Sequence, residues 1–290
     1  MNRGRLLLIA LVWACASGGR GEAGPTPLDV MTFNIRYGTA RDGENAWPNR
    51  RELVIDVIRS HDPQVLGVQE ALRFQLDELG AALSGYGEVG VGRDDGLEEG
   101  EYAAILYDTE RLEVIEQGTF WFSFTPQTPG SMSWGNGITR IATWARFRDL
   151  AAEGTFTVYN LHWDHESQPS RDSSAVLLLE HLAARSSPDP VVVMGDFNAG
   201  ESNTAYRTVL AGASRVEGAP RVIDTFRSAN PSARNVRTAH GFRGGEDGEK
   251  IDAVLVSVEW DVIAASIDRT AEDGRYPSDH YPVTARIVRR

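Results

Sequence analysis

Cysteine is almost absent from this chain: Cys15 is the only one in 290 residues, and it lies close to the N-terminus. The fold beyond it can form no internal disulfide, so its stability must come from a packed core. A metal site would have to be built from oxygen and nitrogen ligands. Positive charge is also scarce, with 29 Lys and Arg against 41 Asp and Glu and a formal net charge of −12. A protein held to long nucleic acid by phosphate neutralisation carries a basic face. Bulk nucleic-acid binding is therefore disfavoured, and no stable nucleic-acid partner is expected, although a local basic pocket stays open. No internal repeat and no low-complexity linker divides the chain. Apolar residues make up 41%, enough for one large domain or two small ones, and one is the simpler reading.

Long apolar runs are missing too. The longest near the N-terminus, Leu6 to Ala14, is too short to span a bilayer as a helix. Preceded by Arg3 and Arg5 and followed by the small, Gly/Pro-rich Ser17 to Pro27, it has the layout of an export signal. Two readings of its end compete. Ala14-Cys15-Ala16 fits an Ala-x-Ala cleavage site, with a mature start near Ser17. Alternatively Cys15 is lipidated and the following segment is a tether, a reading that the bulky Trp13 fits less well. The expected organisation is an export signal and flexible segment over 1–27 and one domain over 28–290, working as a monomer in the periplasm or outside the cell.

From Leu28 onward strands and helices alternate. Leu28 to Phe33 reads as a strand ending at Asn34, and Val65 to Val68 as a short buried strand ending at Gln69-Glu70. Between them Asn49 to His61 has apolar residues at helical spacing, with Pro48 at its first turn and Asp62-Pro63 beyond its end. A helix runs on through Leu79. Tyr102 to Tyr107, Leu112 to Phe122, Ile138 to Phe147 and Phe156 to Leu161 read as successive strands. Ser173 to Ala184 reads as a helix, and Val191 to Met194, Ile251 to Ser257 and Val283 to Val288 as further strands. Clustered helices and short strand connections suit an α/β, four-layer α/β/β/α sandwich of two mixed β-sheets with helices outside. The loops from Gly38 to Trp47, Thr125 to Gly137 and Asn235 to Glu249 are expected rims of a site.

Nearly every strand end carries a polar group. The most informative stretch is Pro190-Val191-Val192-Val193-Met194-Gly195-Asp196-Phe197-Asn198, a buried strand ending in a carboxylate and an amide two residues apart. On extended backbone that spacing points both side chains the same way, so Asp196 and Asn198 can converge on one water molecule. Taken alone the pair is also an ordinary Asx turn. Asn34, Glu70, the His162, Asp164 and His165 group, and Asp279-His280 sit at other strand ends, and each alone could be a turn residue. Asp252, inside the apolar Lys250-Ile251-Asp252-Ala253-Val254, is harder to dismiss because burial without a partner is costly. Together they form a kit for a hard cation and a general base. Glu70 and Asp279 offer oxygens suited to Mg²⁺ or Mn²⁺, the histidines can polarise a phosphoryl group, and Asp196 with Asn198 can hold a water.

In this order and with these neighbours the chain resembles the endonuclease/exonuclease/phosphatase superfamily, the group of DNase I-like nucleases, sphingomyelinases and inositol polyphosphate phosphatases. Gly195-Asp196-Phe197-Asn198 and Ser278-Asp279-His280 carry the resemblance most specifically. Thr32-Phe33-Asn34, Gln69-Glu70, Asn160-Leu161-His162 and Ile251-Asp252 stand between and before them. The resemblance implies a DNase I-like fold and metal-dependent phosphoric ester hydrolysis by in-line attack of water. It implies Glu70 as the main metal ligand with Asn34 and Asp279, and Asp196 as the residue that orients and deprotonates the water. Asn198 would help fix the phosphate, His280, oriented by Asp252, would donate to a non-bridging oxygen, and His162 would contact the phosphate from another side.

Substrate choice is less marked. Arg36, two residues past Asn34, and Arg140 suit a second phosphate or a carboxylate on the substrate, with His165 beside them, or else they are structural salt bridges. Phe120 to Phe124, Trp134 and Trp47 could stack on a base, a sugar or lipid, or pack in the core. Trp47-Pro48-x-Arg50, Gly100-Glu101-Tyr102, Gly118-Thr119-Phe120-Trp121 and Tyr276-Pro277-Ser278-Asp279-His280 resemble exported bacterial members of the group. The expectation is an exported phosphodiesterase or phosphatase acting on a small or lipid-linked organic phosphate. The alternatives are a phosphate-scavenging extracellular nuclease and a non-catalytic binding protein on the same fold.

Overall fold

The computed structural model describes residues 26–152 and 154–290; the export-signal pattern and Cys15 lie outside the described residues, apart from the last two positions of the segment. Two six-stranded sheets face each other. The first has the order β11-β12-β1-β2-β4-β3, built from β1 (Leu28–Asn34), β2 (Val65–Ala71), β3 (Tyr86–Val89), β4 (Tyr102–Asp108), β11 (Trp260–Ile267) and β12 (Val283–Arg289). The second has the order β5-β6-β7-β8-β10-β9, built from β5 (Leu112–Trp121), β6 (Ile141–Asp149), β7 (Thr155–His162), β8 (Val191–Asp196), β9 (Val222–Asp224) and β10 (Asp252–Ser257). Each sheet has one parallel pair, β1 with β2 and β7 with β8, and its other pairs are antiparallel. The parallel pairs need crossovers, supplied by α1 (Trp47–His61) and α3 (Gln168–Ala183). The four-layer α/β/β/α sandwich expected from the sequence is the one observed.

Strand alternation assigns the layers. Leu28 and Val30 of β1, and Val192 and Met194 of β8, point into the core between the sheets. Met31 and Phe33 meet α1 and α2 (Arg73–Ala82) on one outer face. Val191 and Val193 meet α3 and α4 (Thr204–Ala211) on the other. Both faces of the central strands are covered, which is why these strands read as unbroken apolar runs. A polar latch crosses the inter-sheet core. Gln69 Nε2 donates to Thr32 Oγ1 (3.0 Å) and to Asn160 Oδ1 (2.6 Å), and Asn160 Nδ2 donates to the carbonyls of Val68 (2.9 Å) and Ala104 (2.7 Å). Gly67 makes room for it, since a Cβ there would come within 2.8 Å of the Asn160 side chain.

The observed elements differ from the expected ones at boundaries. The third helix starts earlier, at Gln168, because the Ser167 hydroxyl caps the Ser170 amide and Pro169 occupies the first turn. The strand expected from Ile138 begins at Ile141, and Ile138 and Arg140 instead wall a cavity. Short β3 and β9, edge strand β11 and short helix α5 (Thr225–Ala229) carry no strong periodic signal, while α4 is amphipathic but only 8 residues long. Among the described residues no helix is long and apolar enough to cross a membrane.

One outer-layer group makes stability pH-dependent. His181, near the C-terminus of α3, stacks on Phe120 with ring centroids 4.4 Å apart and meets the Tyr159 hydroxyl at 3.2 Å. Burial, helped by Arg185, pushes its imidazole down to about 4. An unfolded chain takes up this proton near pH 6.5 whereas the folded one refuses it until about pH 4. Stability contributed by the neutral ring is therefore present at neutral pH and falls as pH drops through that window. Allowing for the ring's partial exposure, the loss is on the order of 2 kcal/mol. Urea unfolding of His181→Gln beside the wild type, at neutral pH and at about pH 4, should show the wild type losing more stability by roughly that amount.

Candidate active site

The site lies where the C-terminal ends of both parallel pairs meet. Asn34 ends β1, His162 ends β7 and Asp196 ends β8, while Glu70 stands one residue before the end of β2. At Glu70 the β2–β4 register slips between Gln69 and Ala71, a bulge that re-aims the side chain. Glu70 (φ 62°), Arg36 (φ 58°) and Asn198 (φ 45°) all hold left-handed backbone although none is glycine. Such conformations cost roughly 1–3 kcal/mol each and persist where surrounding structure enforces them. Three of them around one cavity make it the candidate functional site.

Asp196 is the hub. Its Oδ1 accepts from the Asn198 backbone N–H at 2.9 Å and its Oδ2 from Asn34 Nδ2 at 3.0 Å. His162 Nε2 stands 3.6 Å and His280 Nδ1 3.8 Å from that same Oδ2. Asp252, the cross-strand partner of Asp196 on β10, holds His280 Nδ1 at 2.9 Å. Thr238, from the loop expected as a rim, fixes Asp252 in turn by accepting from its backbone N–H at 3.1 Å. Burial and the Asp252 charge push the Asp196 carboxyl up to about 7, against the opposing pull of His280. Burial would lower His280, but Asp252 and Asp196 outweigh it and hold the imidazolium well above its ordinary range. His162 goes the other way: burial, then Arg140 and Arg93, keep it neutral. The site thus holds a base poised near neutrality, a charged donor and a neutral imidazole.

Beside the hub lies an oxygen-rich wall. Glu70 Oε1 accepts from Asn34 Nδ2 at 3.0 Å and its Oε2 from the Tyr37 amide at 3.2 Å. Asp279 is held by burial above the usual carboxylate range, with Glu70 adding to the rise. Arg36 pairs with Asp42 through Nε (3.0 Å) and Nη2 (3.1 Å), and stands 3.9 Å from Glu70 and 3.7 Å from Asp279. The Asn34 Oδ1 is turned away, accepting from the Arg36 amide at 3.0 Å. The two facing carboxylates keep oxygen lone pairs unused, a hard-donor set that fits Mg²⁺ or Mn²⁺. Asp196, Asp252 and His280 form a second group, with potential ligand atoms within 4.8 Å of one another. There His280 and Asp252 are already hydrogen-bonded to each other.

A cavity of about 450 Å³ is lined by nine of the expected site residues: Arg36, Glu70, Arg140, His162, His165, Asp196, Asn198, Asp279 and His280. Asn34 and Asp252 stand behind it in contact with the hub. Asn198 also ties itself to the Trp163 carbonyl at 3.0 Å. Tyr37, Arg93, Glu101 and Ile138 complete the lining without having been read as site residues. Glu101 stood inside a family-like motif, but its pairing with Arg93 is visible only in three dimensions. Arg50, in Trp47-Pro48-x-Arg50, has no local signature of its role either. It is buried and donates to the carbonyls of Ile35 (2.6 Å), Arg36 (3.0 Å), Asn45 (2.9 Å) and Pro277 (2.9 Å), clamping the Asn34 and Asp279 segments together. The aromatic rim is mostly core: Phe120, Trp121, Phe122 and Trp47 are buried, while Phe124 is exposed and Trp134 half-buried.

Comparison with known proteins agrees with this geometry. Residues 31–280 match the Endonuclease/Exonuclease/phosphatase family. The chain belongs to that family. An endonuclease/exonuclease/phosphatase from Bacteroides vulgatus is 34% identical, with a TM-score of 0.82 over 91% of this chain and 100% of its own. A family protein from Bacteroides thetaiotaomicron is 28% identical, with a TM-score of 0.83 over 92% and 99%. A mannosyl-6-phosphatase from the same organism is 28% identical, with a TM-score of 0.76 over 90% and 99%. Family members are phosphoesterases, phosphatases and nucleases among them, which supports hydrolase activity in this chain.

Proposed function

We propose that this chain is a divalent-metal-dependent phosphoesterase whose substrate is a phosphomonoester on a small, sugar-like organic group. The observation that carries the reading is that Asp196, His280, His162 and Asn198 line a cavity of about 450 Å³, with Asp252 behind His280. That volume suits a small organic phosphate, and the net charge of −12 argues against long polyanions. Similarity to a mannosyl-6-phosphatase supports a sugar phosphate. The pattern of Arg3, Arg5, Leu6 to Ala14 and Ala14-Cys15-Ala16 supports a substrate met outside the cytoplasm.

Asp196 takes the proton of a water aligned with phosphorus, and the Asn198 backbone N–H bond fixes the carboxylate's orientation. His280, held by Asp252, donates to a non-bridging oxygen as charge builds there, and neutral His162 donates to another. The P–O ester bond breaks opposite the incoming water, and the departing alkoxide takes its proton from solvent while Asp196 returns the one it accepted, giving inorganic phosphate and an alcohol. A divalent ion held by Glu70 and Asp279 would supply further neutralisation of phosphoryl charge.

The test is hydrolysis of p-nitrophenyl phosphate and bis-p-nitrophenyl phosphate with Mg²⁺, Mn²⁺ or EDTA. Turnover should require the metal, disappear with EDTA, return with added ion, and favour the monoester. His280→Ala should lower it by about 10²–10⁴-fold. Metal-independent turnover, or none on either reporter, would remove the reading.

A further inference from the structure

One buried threonine joins the two segments that carry the Asp252–His280 pair. Thr238 is fully buried in the loop between α5 and β10. Its Oγ1 accepts from the backbone N–H groups of Ile251 (3.0 Å) and Asp252 (3.1 Å). Its carbonyl accepts from the Tyr281 amide at 2.8 Å, and its own amide donates to the Glu249 carbonyl at 3.2 Å. Ala239 forms an antiparallel bridge with His280, and the amides of His240 (2.8 Å) and Gly241 (3.0 Å) both donate to the Asp279 carbonyl. Residues 238–241 are thus a splice between the start of β10 and the Asp279-His280-Tyr281 segment.

Asp252 needs this hold. Its carboxylate makes one hydrogen bond, between Oδ2 and His280 Nδ1 at 2.9 Å. Among the described residues its Oδ1 has no partner, although it is sealed from solvent. Apart from His280 itself, no hydrogen-bond partner fixes the direction of the carboxylate, so that task falls to the backbone. On one side the backbone is set by β8, where Asp252 stands opposite Asp196. On the other side β9 pairs with β10 only from Leu255 to Ser257 and stops short of Asp252. The Thr238 hydroxyl stands in for the missing strand. A buried N–H without an acceptor is costly, and here one side-chain oxygen satisfies it.

Resting on the phosphoesterase reading, we propose that Thr238 is a positioning residue that sets the distance and angle between Asp252 and His280. It does not line the cavity and so contacts no substrate. It acts through its bonded neighbours: Oγ1 fixes the backbone of Asp252, and its carbonyl fixes that of Tyr281, next to His280. The Asp252–His280 bond aims the imidazole at the non-bridging oxygen, and a hydrogen bond weakens steeply as its donor angle closes. A mis-aimed donor costs stabilisation of the transition state more than it costs substrate binding.

The experiment compares wild type with Thr238→Val, which keeps the shape but leaves both N–H groups without an acceptor, and Thr238→Ser, which keeps the oxygen. With Mg²⁺ saturating, kcat and KM on p-nitrophenyl phosphate and bis-p-nitrophenyl phosphate are measured well below each variant's Tm. The Nδ1–H resonance of His280, assigned by its loss in His280→Ala, is read by proton NMR without substrate. Thr238→Val should lower kcat about thirtyfold, leave KM within about threefold, and shift or erase the resonance. Thr238→Ser should stay within about threefold of wild type and keep the resonance. Should Thr238→Val not fold, Thr238→Cys, whose thiol accepts weakly, should show a smaller loss of kcat, about fivefold, with a shifted resonance. A folded Thr238→Val, or failing that Thr238→Cys, with wild-type kcat or an unmoved resonance overturns the positioning role and leaves the phosphoesterase reading standing. Thr238→Ser failing as badly as Thr238→Val does the same. A wild type inactive on both esters removes the phosphoesterase reading, and the resonance then decides for or against Thr238 by itself.

Discussion

Asp196→Asn should lower kcat about a thousandfold while leaving the protein folded. The substitution keeps the size and shape of the side chain, and its carbonyl can still accept from the Asn198 amide. It removes the one carboxylate oxygen that Asn34, His162 and His280 all face. The base that receives the water's proton disappears with it, and a positioned base is worth roughly 10²–10⁴-fold. Position matters as much as type. With burial and Asp252 pushing the group up to about 7, it is far more basic than a surface aspartate yet still ionised in part at neutral pH. Steady-state kinetics on whichever reporter ester turns over fastest, beside a thermal melt, separates chemistry from folding. A loss below tenfold with an unchanged melt would take the base role away from Asp196.

Gly195→Ala, one residue away, should fail in the opposite manner, by losing the fold. Gly195 has φ 144°, and a Cβ there would overlap the backbone carbonyl of Leu161, its partner across the parallel β7–β8 pair. The obstacle is main chain in the middle of a sheet, so no rotamer change relieves it. The strands must separate where His162 and Asp196 emerge. An expected cost of about 3–5 kcal/mol follows from overpacking added to a disallowed backbone angle. Urea unfolding gives the number directly, and a loss under 1 kcal/mol would show that the pair can spread at little cost. The glycine of Gly195-Asp196-Phe197-Asn198 is thus a requirement of strand packing, whereas the aspartate after it is kept, on the proposed reading, for chemistry.

Much of the candidate site was legible because the residues proposed to act there are strand-end polar groups after long apolar runs. Asn34, Glu70, His162, Asp196 and Asp252 all stand out against β-branched neighbours, and burial makes them expensive to keep without a role. Layer architecture followed from the same runs, since strands covered on both faces show no alternation. What escaped was whatever depends on pairing between distant segments. Arg93 and Glu101 look like surface charges in a Gly/Asp/Glu-rich loop, and only the fold turns them into a cavity wall. Arg50 satisfies carbonyls from segments more than two hundred residues apart, a clamp with no local signature. Of the two readings the aromatic cluster allowed, core packing holds for Phe120 and Phe122, which two residues apart share a face and pack against α3. Edge strand β11, largely exposed, had too little apolar contrast to be seen.

The seam between the two sheets has a consequence for how the protein matures. The first sheet and its connections supply Asn34, Arg36, Glu70 and Asp279, while the second supplies His162, Asp196, Asn198 and Asp252. Neither half on its own holds both an oxygen-rich wall and a proton acceptor. The Gln69–Asn160 bond that joins them spans 91 positions of chain, so it closes late by loop-closure entropy. Hydrolytic competence should therefore return only in the last phase of refolding, after secondary structure, and a half-assembled chain stays chemically silent.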